Sequence, residues 1–192
     1  MQNKFYVKVL VVFLFCAAFN IGVNAQNVFS KGDNNVNLGI GLGSTLGGTG
    51  YTSTLPPISI SYERGIVDNL FDDKSSLGIG AYLGYAGNKS ELISGGTAFG
   101  WKYNYTIFGL RGALHYQLVD NLDTYAGLML GYNSVSASYY GTNDITGHAA
   151  SNSGLSWSLF LGGRYYFTDN IGAFAELGYG IAYLQLGVSF KF

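Results

Sequence analysis

The chain has 192 residues and a formal charge of −1, and charged residues make up only 11% of it, less than half the share of about 25% usual for a soluble domain. That balance gives no electrostatic footprint for nucleic acid, so nucleic-acid binding is excluded. It also leaves much of the surface without the charge that faces water. Aromatics reach 16% and there are 29 glycines with 2 prolines, yet no segment beyond residue 25 is continuously apolar for the ~20 residues a helical span requires. Closed β-structure remains as the way for such a chain to cross a bilayer.

Lys4 and Lys8 precede an apolar run from Val9 to Phe19, and Val23-Asn24-Ala25 offers a small-residue cleavage site before Gln26. Residues 1–25 therefore read as a removed signal peptide. The run is too short for a transmembrane helix, and the bulky Phe15 before Cys16 does not suit lipoprotein processing. Cys16 is the sole cysteine, so the processed chain offers no disulfide and no thiol chemistry. Residues 26–34 are expected to form a periplasmic N-terminal segment, and residues 35–192 the barrel domain.

From there the sequence alternates apolar with polar or small residues in eight stretches, the period of strands with two different faces. The first is about Asn35 to Ser44, with Val36, Leu38, Ile40 and Leu42 on one face and Asn37, Gly39, Gly41 and Gly43 on the other. The second is about Pro57 to Gly65 (Ile58, Ile60 and Tyr62 against Ser59, Ser61 and Glu63) and the third Ser76 to Ala86 (Leu77, Ile79 and Leu83 against Gly78, Gly80 and Tyr82). The fourth, Trp101 to Leu118, sets Phe108, Leu110 and Leu114 against Gly109, Arg111 and His115. The fifth, Thr124 to Ser136, sets Leu128, Leu130 and Tyr132 against Gly127, Met129 and Gly131. The sixth, Gly154 to Phe167, sets Trp157, Leu159 and Leu161 against Ser158, Phe160 and Arg164. The seventh, Ile171 to Gly178, sets Ala173, Ala175 and Leu177 against Phe174, Glu176 and Gly178. The eighth, Ala182 to Phe192, ends the chain on an aromatic, with Leu184, Leu186, Val188 and Phe190 opposite Tyr183, Gln185, Ser189 and Lys191.

The links alternate in length. Val67-Asp68-Asn69-Leu70, Val119-Asp120-Asn121-Leu122 and Thr168-Asp169-Asn170-Ile171 are short, and Asp and Asn tolerate left-handed conformations and bond their own backbone, so each reads as a turn. The others, about Thr45 to Pro56, Gly87 to Gly100 and Ala137 to Ser153, are longer and rich in Gly, Ser and Thr. The last outer link, at Gly178-Tyr179-Gly180, is nearly absent.

Charge sets the parity. Glu63, Arg111, Arg164, Glu176 and Lys191 fall on the polar faces and none on the apolar ones. A lysine or arginine facing lipid at mid-bilayer costs ~2–4 kcal/mol, so the polar faces are expected to line the lumen. Eight strands enclose only enough space for side chains, and the glycines then make room for Tyr82, Phe160, Arg164, Tyr166, Phe174 and Tyr183. Pairing about the turns is expected to bring Arg164 near Glu176, Arg111 near Gly131 and His115 near Gly127. Glu63, Arg111, His115, Arg164, Glu176 and Lys191 are the expected structural charge network of the lumen. Trp101, Tyr103, Tyr105, Tyr139 and Tyr140 at the loop end, and Tyr116, Tyr165, Phe167, Phe190 and Phe192 at the turn end, are the expected interfacial girdles.

The hairpin from Gly162 to Gly180, followed by the Phe-ended strand, resembles the C-terminal third of small porin-family barrels common in Bacteroidetes. The alternation over residues 30–192 resembles the OmpA/OmpX/OmpW-like group. The resemblance implies an all-β, eight-stranded, antiparallel, up-and-down transmembrane barrel of a Gram-negative outer membrane, with short periplasmic turns and both termini in the periplasm. It implies that Phe190 and Phe192 are read by the barrel-assembly machinery. The partners expected are periplasmic chaperones during biogenesis, outer-membrane lipid and lipopolysaccharide, with the protein a monomer. It carries over no catalytic residues.

No cofactor and no metal site is expected: two histidines and no cysteine after processing give no ligand spacing, and the Gly39-Ile40-Gly41-Leu42-Gly43 run lies in a strand and opens no helix. His148 with Asp144, Ser151 and Ser153 supplies the residue types of a lipid-modifying hydrolase without evidence that they converge. The expected role is structural or one of surface interaction. A narrow porin, a lipid A-modifying enzyme and a soluble lipocalin-like barrel are the alternatives, the last requiring an apolar interior.

Overall fold

Period-two alternation gives eight strands: β1 (Asn34–Ser44), β2 (Tyr51–Asp68), β3 (Ser75–Ser94), β4 (Thr97–Val119), β5 (Leu122–Tyr140), β6 (Gly154–Tyr166), β7 (Ile171–Tyr179) and β8 (Ala182–Lys191). The computed structural model describes residues 28–46, 50–94, 97–141 and 153–192. The signal-peptide reading and the His148, Asp144 and Ser151 cluster lie outside those residues. Each strand pairs antiparallel with its sequence neighbour, and β1 pairs with β8 from Asn35↔Lys191 to Ser44↔Ala182, closing the ring. Closure leaves every strand with partners on both sides and no open edge through the belt.

The turns behave as their residues require. Asn69 and Asn121 adopt left-handed φ of 53° and 62°, a region Asn enters at little cost. At the third turn no residue is left-handed. There the Thr168 hydroxyl accepts from the Ile171 amide at 3.0 Å, while the Phe167 amide donates to the Ile171 carbonyl at 2.9 Å.

The two faces are opposite to those of a soluble barrel. Leu110 and Leu161 are 73% and 60% exposed, while Arg164 is 0% exposed. Apolar side chains of all eight strands form a continuous outer belt far larger than the patch a soluble monomer exposes, and the interior is polar and aromatic. A lipocalin-like protein, with its core inside, would be the reverse.

Strand lengths differ around the ring: β2 to β5 run for 18, 20, 23 and 19 residues, while β1, β6, β7 and β8 have 11, 13, 9 and 10. Spanning strands need about 9–11 residues, so the short ones just cross and the long ones project beyond the belt. The segment Gly87 to Gly100, read above as loop, is largely strand, because β3 and β4 stay paired to Ser94↔Thr97. Its polar run from Asn88 to Glu91 suits an outer hairpin in water. Pro56 and Pro57 fall at a register shift between Leu55 and Ile58, beyond the last β1 pair Ile40↔Ile58, where a missing amide costs no ladder bond.

Three assignments of side change. Tyr183 is 56% exposed, whereas Ala182 and Ile181 are buried; Gly43 at φ 70° disturbs the facing end of β1 and lets β8 begin out of phase. Tyr105 is buried with Ile107 on the inner face, and by period two Trp101 and Tyr103 share that parity, so this part of the outer girdle is internal. Trp101 packs edge-on against Tyr139 at 5.4 Å. Arg64 stands exposed on the outer face of β2 beside Tyr62, an exception to the rule that no charge sits there. It lies four residues from the end of β2 at Asp68, within reach of the interface for a snorkelling side chain.

Candidate functional site

The interior charges form two groups joined across the lumen. Arg164 of β6 donates to Asp123 of β5 at 3.0 Å and to Glu63 of β2 on the far wall. His115 of β4 stands between the same carboxylates, with Nε2 2.9 Å from Glu63 and Nδ1 2.9 Å from Asp123. Because both ring nitrogens face acceptors, the imidazolium form with two donors satisfies both bonds. Arg111 of β4 donates to Glu176 of β7 at 2.7 Å, and the Tyr125 hydroxyl donates to the same carboxylate oxygen at 3.1 Å. Three acidic groups thus meet Arg111, Arg164 and His115, and burial of each charge is compensated.

Aromatic faces complete the packing. The Arg111 guanidinium lies 3.9 Å from the Phe160 ring centroid and that of Arg164 4.4 Å from Tyr125, where cations are attracted by the ring quadrupole. Glycines supply the room: a Cβ on Gly78 would stand 2.7 Å from a Glu63 carboxylate oxygen, and one on Gly162 2.5 Å from Tyr125 Cζ. A second polar run crosses the β8–β1–β2 seam, where Ser189 donates to Asn37 at 2.6 Å and Asn37 to Ser61 at 3.2 Å.

Five of the six charges expected in the lumen meet there, but not in the expected pairs. Arg164 lies opposite Phe174 and Glu176 opposite Gly162, while Arg111 faces Met129 and His115 faces Tyr125. The β6–β7 turn is centred one residue earlier than supposed, and the β4–β5 hairpin has a two-residue turn with a register shift at Leu118, so partners move by two positions. Lys191 is elsewhere. At the end of β8 it donates to the Val28 carbonyl at 3.1 Å and lies 5.3 Å from the Tyr166 ring. Asp123 lies just before the Thr124 start expected for β5; the inward parity of Met129, carried back through Tyr125, reaches it. The Ser153 hydroxyl accepts from the Val135 amide at 2.9 Å. Phe190 and Phe192 are exposed on the outer face at the turn end.

The N-terminal segment closes the turn end. Val28 and Phe29 are buried, and the Phe29 ring stacks on His115 with centroids 4.2 Å apart. The Val28 amide donates to Gln117, Ser76 donates to the Phe29 carbonyl, and Gly32 pairs with Gly65. Residues 28–33 are thus a stopper beneath the charge network, where the sequence suggested only a periplasmic segment. Phe29→Ala is expected to remove about 1.5–3 kcal/mol of docking free energy, visible as faster hydrogen exchange at the Val28 and Gly32 amides with β-strand amides unchanged.

No protein-family model matches the chain, and no curated protein matches it. Among solved structures, the outer membrane protein OprG from Pseudomonas aeruginosa superposes with a TM-score of 0.50 at 10% identity, over 87% of this chain and 99% of that one. The fold is that of the small outer-membrane barrels. Ail of Yersinia pestis (TM-score 0.49, 12% identity, 84% of this chain and 99% of that one) and the N-terminal barrel of Pseudomonas aeruginosa OprF (0.47, 17%, 84% and 98%) are also similar. Within this eight-stranded outer-membrane barrel fold, the chain's own features are the charge network at its centre, the stopper below it and the projecting hairpins above.

Proposed function

We propose that the protein is a non-conducting, non-enzymatic outer-membrane barrel that reinforces the envelope and presents its outer hairpins to the surroundings. The observation that carries this reading is the packed lumen. The void among Tyr82, Arg111, Met129, Ser158, Phe160 and Glu176 amounts to about 10 Å³, room for roughly one water. Below it the Glu63, His115, Asp123 and Arg164 cluster spans the lumen, and Phe29 packs on its His115. In this reading the charge network is structural and Phe190 and Phe192 are the assembly signal. The protein is a monomer surrounded by lipid and lipopolysaccharide.

The projecting part of β2 to β5 supports surface presentation. Its outward face carries Lys89 paired with Glu91 at 2.8 Å, Tyr140 donating to Glu91 at 2.9 Å, and Lys102 over the Tyr140 ring at 5.4 Å. The Lys89 and Tyr140 hydrogen bonds hold the Glu91 carboxyl below its ordinary value, so this face keeps its charges in neutral water. The test is planar-bilayer recording on the processed chain, whose closed barrel is first verified by a gel-mobility shift on boiling. The expected result is no reproducible unit conductance. Steady channels of uniform size from the folded protein would sink the filled-lumen reading in favour of a narrow porin.

A further inference from the structure

The outer face holds an open groove with an arginine at its end. Arg64 lies opposite Ile79, Ile79 opposite Gly112, and Gly112 opposite Leu128; in the next row Tyr62, Ala81, Leu110 and Leu130 follow one another. Between these rows is a depression of about 660 Å³ with Arg64 on its rim. Through Gly112 and Leu128 it joins a second of about 860 Å³, bounded by Leu77, Leu114, Ala126 and Leu161. Apart from Arg64 and the Tyr62 hydroxyl, which donates to Asn34 at 2.7 Å, the side chains facing the groove are apolar or lacking.

Gly112 is the informative residue. A Cβ on Gly109, three residues along β4 and on the opposite, inward face, would stand 2.6 Å from the Leu130 carbonyl oxygen, so the strand pairing itself excludes a side chain there. A Cβ on Gly112 would meet nothing closer than 3.9 Å, and its φ is not left-handed. Neither the backbone nor any neighbour accounts for a glycine at this point, and its missing side chain leaves the groove open. Arg64 is the second observation. It is exposed, and among the described residues its side chain makes no hydrogen bond or ion pair, so its five donors face outward from the turn end of the belt.

We propose that the groove binds a phospholipid with an anionic headgroup from the leaflet on the turn side. The phosphate sits on the Arg64 guanidinium and an acyl chain lies over Ala81 and Gly112. The assignment rests on the membrane-spanning reading above. A planar guanidinium matches a phosphate in a bidentate manner, and an apolar channel beside it suits one attached hydrocarbon chain and no polar partner.

The experiment is native mass spectrometry of the processed chain in detergent, with phosphatidylglycerol and phosphatidylethanolamine of identical acyl chains. The wild type is expected to retain phosphatidylglycerol about fivefold better, the factor one basic residue contributes beside an anionic headgroup. R64Q removes the preference, R64K, which keeps the charge but loses the bidentate fork, retains only part of it, and G112L weakens retention of both lipids. Equal retention of the two lipids by the wild type, or an R64Q preference equal to wild type, overturns the assignment. So does a dimer dissolved by G112L, which would make a second copy the occupant. Each variant is checked for the mobility shift on boiling. A wild type without that shift overturns the barrel reading itself, a failure distinguishable from loss of lipid preference in a folded barrel.

Discussion

Arg164→Leu is expected to lower the unfolding free energy by about 3–5 kcal/mol, the penalty for removing one partner of a buried charge cluster. Arg164 is wholly buried and joins Glu63 to Asp123. Without it two carboxylates share His115 alone, and one negative charge stays in the lumen with no counter-charge. The measurement is urea unfolding in lipid vesicles, followed by the fraction that keeps its unboiled gel mobility. The sign of a compensating variant is also fixed. Replacing Glu63, His115, Asp123 and Arg164 together by apolar residues of similar volume is expected to recover most of the loss, because the four desolvation penalties vanish together. Lys89→Ala, which breaks a half-exposed surface pair, is expected to leave the midpoint unchanged. A midpoint for Arg164→Leu equal to wild type would remove the network from any structural role.

The second large effect tests which face meets lipid. Ile40 lies midway along β1, 56% exposed, between Ile58 of β2 and Leu186 of β8. Ile40→Arg is expected to cost about 2–4 kcal/mol in vesicles, the depth-dependent penalty for arginine near the bilayer midplane. Ser138→Arg, on the same outward parity but in the projecting part of β5, is expected to cost little because that surface lies in water. In a barrel whose outer face met water throughout, both substitutions would be equally mild.

Much of the architecture was legible because the signals that specify it are local. Eight alternating stretches became eight strands, Asp-Asn links became turns, and the placement of Glu63, Arg111, Arg164 and Glu176 correctly chose the inward face. Period two follows from the pleat itself, and it needs no knowledge of what a strand pairs with. The Gly87–Gly100 segment escaped because it has no period-two apolar face: a polar run, Asn88 to Glu91, is followed by the adjacent Leu92 and Ile93 and by glycines, a pattern that hydropathy cannot separate from a loop.

The partners of the site were less legible. Arg164 was matched to Glu176 on the adjacent strand, whereas it meets Glu63 from β2 and Asp123 from β5. A two-position change of register left Arg111, His115, Arg164 and Glu176 on the inward face while exchanging their cross-strand neighbours, since a shift by two preserves parity. Arg64 and Tyr183 show the limits of the pattern: Arg64 keeps the outward parity of Tyr62 although it is charged, and Tyr183 at the start of β8 departs from the phase expected for that strand. The burial of Phe29 against His115 depends on a gap at the barrel mouth that exists only after closure.

By itself, then, the sequence determined the class of structure, the strand count, the lipid-facing side and the stock of charges within, all consequences of alternation and of the cost of exposing charge to hydrocarbon. Only the tertiary structure decided which charges meet, where the N-terminal segment docks and which outer surface is left open, because these depend on register and on side chains reaching across a closed ring, distances that no local pattern encodes.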